Sequence, residues 1–375
     1  MNRTLRLRLA VTGIVILLLQ ASAMVAQVRR EIRIPDILGG KTLKCDFHMH
    51  TVFSDGLVWP TVRVDEAWRE GLDAIAITDH IEYQPHKQDV LTGHNRPYEI
   101  ALPRAKELGM LLIRAAEITR ATPPGHFNAL FLSDVKPLDT NDLLDCMAAA
   151  DQQGAFIWWN HPDWKPEHKG WFDIHTTLYE KKYMRGIEVV NGRTYSPTVH
   201  QWALDKNLTF LGNTDIHQPV GLEPMPPGGH RPMTLVFAKD RSIPAIKEAL
   251  MAGRTAIWFE DKLIGRKEYA QALLAGAVRV TDLEREGKKT VRFTIRNDSD
   301  LPIALQREGK LGPKELNLPG NTLVRVKVDV NDSEEPTELA YVATNFLVAP
   351  EKGLPVKFLI LGGSDLNVQV QFGGN

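Results

Sequence analysis

The sequence predicts an α/β fold followed by a small antiparallel β domain. Three observations carry that expectation. From about residue 40 to 260, short apolar runs alternate with stretches of helical spacing. Beyond about residue 285, apolar and polar residues alternate one by one, with turn-forming residues between the runs. Histidines and carboxylates also recur where the apolar runs stop, mostly at their C-terminal ends. That end is the reactive face of barrel folds, so a closed barrel is favoured over an open sheet.

The chain of 375 residues is long enough for more than one domain. Hydrophobic content of 43% with 24% charged residues marks an ordinary globular protein. The net charge of −1 gives no electrostatic case for gripping nucleic acid, and none is expected as a partner.

Residues 1–26 stand apart. Arg3, Arg6 and Arg8 precede an apolar run from Leu9 to Leu19, and small residues follow. That is the layout of a secretory signal peptide, with cleavage expected after Ala23 or Ala26 and an uncleaved N-terminal anchor as the alternative. The run is short for a membrane span, which takes roughly 20 residues, so no stable span is expected after cleavage. Loss of the segment takes the net charge from −1 to about −4. The expected location is the periplasm or the extracellular space. Cys45 and Cys146 are too few for a disulfide framework. Cys45 opens an apolar run and reads as a small buried hydrophobe.

In chain order, the strand candidates after the first ("CDFHMH") are "LDAIAITDH" (72–80), "MLLIRAAEIT" (110–119), "FNALFLSD" (127–134) and "AFIWWNHPD" (155–163). They continue with "RGIEVVNG" (185–192), "LTFLGNTDIH" (208–217) and "MTLVFA" (233–238). These runs are nearly continuous in apolar residues, as expected of parallel strands buried on both faces. Helix candidates lie between them: "PTVRVDEAWREG", "NRPYEIALPRAKELG", "NDLLDCMAAADQQG", "SPTVHQWALDKN" and "SIPAIKEALMAGR". Several end in glycine, a usual helix stop. A barrel over 40–284 and a β-sandwich-like domain over 285–375 are expected. The latter holds no His or Cys, so its expected role is support, dimerisation or shaping a site mouth.

The chemistry is concentrated in the polar residues at the strand ends. "CDFHMHTVFSDG" holds His48, His50 and Asp55. "ITDH" ends in His80, "AAEIT" carries Glu117, "PPGHF" has His126, "NHPD" has His161, and "GNTDIH" has Asp215 and His217. In a strand, residues two apart face the same side, so His48 and His50 converge, as do Asp215 and His217. Imidazole with carboxylate suits Mn, Zn or Fe rather than an all-oxygen cage. Nine candidate ligands exceed the needs of one ion and suffice for two or three sharing a bridging carboxylate. The remaining histidines (His86, His94, His168, His175, His200, His230) read as exposed or locally hydrogen-bonded.

"HMHTVFSDG", "ITDH", "AAEIT", "NHPD" and "GNTDIH", in that order, resemble the PHP (polymerase and histidinol phosphatase) family over roughly residues 40–260. The resemblance implies a distorted (β/α)7 barrel and a metal-dependent phosphoesterase with two or three divalent ions. It implies that His48, His50, Glu117 and Asp215 hold one metal. Glu117 would bridge to a second, with His126 and His161, and Asp55, His80 and His217 would hold a third. Some family members have histidine where this chain has Asp55. In such a site a water between two cations loses its proton near neutral pH and attacks phosphorus. Glu117, Asp215 and His217 are then the residues nearest the reaction. Asp79 and Asp163, adjacent to ligands or two positions away, are candidates either to orient imidazoles or to make loop hydrogen bonds. Arg120, Asn191 and Arg193 lie just past strand ends and are candidate substrate contacts. The aromatic loop "WWNHPDWKPEHKGWF" is a candidate pocket wall.

A secreted member fits neither histidine biosynthesis nor polymerase proofreading. The appended β domain is similar to that of secreted PHP phosphodiesterases, so the expected substrate is a small organophosphate diester or monoester. An amidohydrolase cutting C–N or lactone bonds is the alternative, but no lysine sits at a suitable strand end to serve as its bridge. An inert, non-enzymatic barrel would be expected to have lost ligands, and here none is missing.

Overall fold

A computed structural model of the chain describes residues 28–372, apart from Thr92, Lys288 and residues 166–168, 223–228, 331–335 and 362–366. The expected signal peptide lies outside the described residues, as does His168. Among the described residues, no helix is long and apolar enough to cross a membrane.

Seven strands form the barrel: β1 (Lys41–Asp46), β2 (Ala74–Ile77), β3 (Leu111–Ile118), β4 (Phe127–Leu130), β5 (Phe156–Trp159), β6 (Met184–Asn191) and, after the short β7 (Thr194–Tyr195), β8 (Thr209–Asn213). β1, β2 and β3 are parallel neighbours, and so are β5, β6 and β8. Their apolar runs are buried from end to end, as in "AIAI" of β2 and "FIWW" of β5. The helices α1 (Pro60–Arg69), α2 (Arg96–Glu107), α3 (Leu143–Gln152), α4 (Asp173–Glu180), α5 (Pro197–Asp205) and α6 (Ile243–Met251) occupy the connections. Asp142, Ser196 and Ser242 cap α3, α5 and α6 through their side chains. Gly154, at φ 69°, takes the left-handed turn just past α3.

Two strands depart from the expected parallel series, and β4 is the first. β4 runs antiparallel to both β3 and β5, with Glu117 opposite Asn128. The short "TRATPPG" connection closes a hairpin where a parallel crossover would need a dozen or more residues. The inversion explains why His126 precedes its strand, whereas Glu117 lies near the C-terminal end of β3 and the other ligand candidates follow their strands. All of them reach the same barrel end.

The barrel closes between β8 and β1 by a parallel bridge of Met49 and Ile216, with Asp215 N donating to His48 O at 2.8 Å. Deeper down, β9 (Met233–Ala238) lies antiparallel to β1 instead of extending the parallel set. Its Thr234 hydroxyl joins Gly212 of β8 through both backbone groups at 3.0 Å. Gly212 has no room for a side chain, because a Cβ there would lie 2.2 Å from Ile257 Cγ2.

The hairpin of β10 (Thr255–Phe259) and β11 (Lys262–Gly265) and the helix α7 (Lys267–Ala277) lead out of the barrel. Two antiparallel sheets follow. One contains β12 (Val278–Glu286), β13 (Thr290–Asn297) and β16 (Thr322–Asp329). The other contains β14 (Ile303–Arg307), β15 (Glu315–Leu318), β17 (Thr337–Ala349), β18 (Lys352–Leu361) and β19 (Asn367–Phe372). Phe293, Ile295 and Val326 of the first sheet and Leu305, Tyr341 and Phe358 of the second share one buried core, the arrangement of a β-sandwich. β11 pairs in parallel with β17, so barrel and sandwich share a continuous sheet.

Candidate metal centre

All nine candidate ligands converge at one end of the barrel. His48, His50 and Glu117 are fully buried, whereas Asp215, Asp55 and His217 are partly open. Glu117 is the hub. Its Oε2 lies 3.3 Å from His48 Nε2, 3.2 Å from His50 Nε2 and 3.1 Å from His80 Nδ1. Its Oε1 lies 3.0 Å from His126 Nδ1 and 3.7 Å from His161 Nε2. Asp215 Oδ1 lies 3.1 Å from His48 Nε2 and 3.0 Å from His50 Nε2. Asp55 stands between His80 and His217 at 3.5 and 3.3 Å. Four overlapping sets have ligand atoms close enough to share an ion: His48–His50–Glu117, His80–Glu117–His126, His48–His161–Asp215, and His50–Asp55–His80–His217.

Three of the imidazole tautomers are set by hydrogen bonds at Nδ1. His48 Nδ1 donates to Glu188 Oε1 at 3.1 Å, and His217 Nδ1 donates to Asp215 O at 2.7 Å. His50 Nδ1 donates to Ser54 Oγ at 3.2 Å, and that hydroxyl donates to Asp79 at 2.7 Å. Each arrangement turns an Nε2 lone pair toward the carboxylates. His50 Nε2 is buried and makes no hydrogen bond. A buried acceptor without a donor is costly in a protein and ordinary in a metal ligand. The donor set therefore fits divalent cations.

Electrostatics agree. Burial alone would raise the Glu117 carboxyl, but the His80 and His48 imidazoles hold it well below the usual range. Burial would likewise raise Asp55 and Asp215, and neighbouring histidines hold both low. For His48, burial is outweighed by Asp215, Glu188 and Glu117, which raise its pKa. The carboxylates stay ionised and compete with one another for positive charge, whether from protons or from cations.

Two ligand candidates sit on left-handed backbone, His161 at φ 29° and Asp215 at φ 54°. Such strain persists where surrounding structure holds it. Beside Asp215, part of that hold comes from Arg63 of α1, which is fully buried. It donates to His50 O at 2.9 Å, Ile216 O at 3.1 Å, Gln218 O at 2.8 Å and Glu66 Oε2 at 2.8 Å. One guanidinium thus ties together the two segments that carry His50 and His217.

Glu188 is a functional candidate that sequence reasoning passed over. It is buried in β6, and its carboxylate meets His48 Nδ1, Asn213 Nδ2, His161 N and Asn191 Nδ2 within 3.1 Å. The signal was an acid inside the apolar run "GIEVV". Asn160 was also passed over, and donates to Glu117 Oε1 at 2.9 Å.

The adjacent acids divide. Asp79 reaches His50 through Ser54 and also holds Thr51 N at 2.6 Å, whereas Asp163 accepts from the Ser196 hydroxyl at the start of α5, a loop role. The three substrate-contact candidates divide as well. Asn191 donates to Glu188 and Asp215 beside the cluster. Arg120 is turned to Glu82 and the Thr140 carbonyl, and it does not line the metal cleft. Arg193 is exposed and does not line it either. His175, His200 and His230 are buried, hydrogen-bonded core residues away from the cluster.

A barrel whose mouth gathers six histidines around one buried glutamate defines a metal-dependent hydrolase of the α/β-barrel type. Comparison with known proteins gives the family. The chain is 46% identical to a two-domain protein from Bacteroides vulgatus containing a predicted PHP-like metal-dependent phosphoesterase. The match covers 89% of this chain and 100% of that one, at a TM-score of 0.85. The chain belongs to this PHP-like metal-dependent phosphoesterase family. Residues 277–359 match a family model described as an Ig-like domain. A curated relative, a 5'-3' exoribonuclease from Haemophilus influenzae, is 37% identical over 78 residues. That match spans 21% of this chain and 24% of the relative's length.

Proposed function

We propose that the chain hydrolyses small phosphodiesters or phosphomonoesters outside the cytoplasm, using two or three divalent metal ions held at the barrel mouth. The observation that carries the reading is Glu117. Its two oxygens face different histidine sets, His48, His50 and His80 on one side and His126 and His161 on the other. A carboxylate so placed would bridge two cations. In this reading His48, His50, Glu117 and Asp215 would hold one ion, and Glu117, His126 and His161 would hold a second. Asp55, His80 and His217 would hold the third.

Bound Mn, Zn or Fe supplies an activated water and neutralises charge on the phosphoryl oxygens. The protein's own residues do the rest. Glu188, Ser54 with Asp79, and the Asp215 carbonyl fix the imidazole tautomers. Asp55, Asp215 and His217 line the open side of a cleft of about 430 Å³, where an ester meets the cluster.

The test is hydrolysis of p-nitrophenyl phosphate and bis-p-nitrophenyl phosphate by protein loaded with Mn or Zn, against an amide and a lactone. Turnover of an ester that ends on chelation is expected. Inert phosphate esters beside a turned-over amide or lactone refute the reading. Export rests on the pattern of residues 1–26 alone. N-terminal sequencing of protein from the native host tests it, with a mature start at Met24 or Gln27 expected and an intact Met1 refuting it.

A further inference from the structure

Two clefts meet at Trp164. The metal cleft is one. The other is a side pocket of about 190 Å³ lined by Pro162, Asp163, Glu188, Val189, Asn191 and Thr194, among others. His161 and Trp164 line both. Trp164 is 58% exposed, and its ring lies 5.5 Å from both His126 and His161. Lys165 Nζ, 4.8 Å from the indole centroid, helps to fix it by a cation–π contact. A large aromatic exposed beside a reactive cleft is a surface for a ligand to cover.

The polar groups of the side pocket are biased toward acceptors. The amide nitrogen of Asn191 is committed to Glu188 and Asp215, which leaves its oxygen to accept. Asp163 spends one oxygen on Ser196 and keeps the other. Asp163 and Glu188 bring two negative charges, although the Glu188 oxygens are already taken by four donors, and among the described residues no lysine or arginine lines the pocket. A second phosphate is therefore repelled, and N–H or O–H donors are favoured. The volume lies below that of pockets that take drug-sized ligands, so a single ring system fits.

We propose that this pocket is the subsite for the organic group of the ester, taking a flat aromatic group that bears hydrogen-bond donors and stacks on Trp164. This rests on the phosphoesterase reading above. Phosphate in the metal cleft and ring in the side pocket share the wall formed by His161 and Trp164.

The test compares kcat/KM for p-nitrophenyl diesters whose second group is methyl, phenyl or 5'-thymidyl. In the wild-type protein the thymidyl and phenyl esters are preferred over methyl. Trp164→Ala removes one stack, so the thymidyl-to-methyl ratio falls roughly 5- to 150-fold, the range such a stack is worth. Thr194→Trp, which fills the pocket, lowers the same ratio. A ratio equal in wild type and both variants overturns the subsite while the phosphoesterase reading stands. If no ester turns over, the phosphoesterase reading fails. Calorimetric titration of metal-loaded protein with phenyl phosphate and with inorganic phosphate then reads the subsite by itself. Tighter binding of phenyl phosphate that Trp164→Ala abolishes supports it, and equal affinities overturn it.

Discussion

Replacing Arg63 by Met keeps much of the side-chain length and removes all four hydrogen bonds of the guanidinium. The carbonyls of His50, Ile216 and Gln218 lose their donor, and Glu66 loses its cation. Hydrogen bonds to a charged group contribute ~1.5–3 kcal/mol each. They are not additive here, since one group makes them all. Breaking one side of a buried ion pair costs ~3–5 kcal/mol, and we take that range as the loss. For a domain of barrel size, each kcal/mol is worth roughly 2–4 °C, so the melting temperature should fall by about 6–20 °C. The released segments carry His50 and His217, so the ion proposed for Asp55, His80 and His217 should be lost first. The assays are thermal melting by circular dichroism and metal content by elemental analysis after equilibrium dialysis. Arg63→Lys, which can reach some of the carbonyls, should lie between wild type and Arg63→Met on both scales. A melting temperature within about 1 °C of wild type with full metal content would refute the clamp.

Glu117→Ala should lose the metal on each side of the bridge, and elemental analysis showing full metal content would sink the bridging assignment. Glu188→Gln keeps the shape but weakens the acceptor for His48 Nδ1, and metal affinity by competition with a chelator should drop roughly 10- to 100-fold. His175 is buried against Trp159, accepts from Phe172 N, donates to Pro124 O, and is pushed by burial down to about 4. Its unfolded value is 6.5, so the unfolded chain takes up the proton first, and the stability that neutral His175 confers is lost as pH falls from 6.5 to 4. The loss reaches ~3 kcal/mol, and the melting-temperature gap between wild type and His175→Gln should narrow over that range. A gap that stays constant contradicts the buried neutral imidazole.

The cluster of candidate ligands was legible because metal chemistry restricts residue types sharply. His, Asp and Glu at the ends of apolar runs are conspicuous, and the strand pattern put them on one face. The inverted β4 was not legible, since a fully buried strand has the same apolar run in either direction. Its trace was His126 at the wrong end of its strand. Helices α4 and α7 were missed because their boundaries lie in aromatic-rich or short-linker sequence without a clear capping pattern. Glu188 escaped notice because one acid in an apolar strand has no spacing partner in sequence. Its partners, His48, His161 and Asn213, come from three other strand ends. The turn of Arg120 toward Glu82 depends on a loop contact that strand position does not encode. Cys45 is buried, as its apolar context indicated; Cys146, on which no such reading was made, is buried as well, and burial pushes its thiol up to about 12.

The central claim is a site that needs more than one metal ion to hydrolyse a phosphate ester. The direct measurement titrates metal-free protein with Mn or Zn while following bound metal and bis-p-nitrophenyl phosphate hydrolysis in the same samples. At least two equivalents should bind, with activity rising as the second is taken up. Full activity at one equivalent, or hydrolysis that persists in excess chelator, would contradict the account.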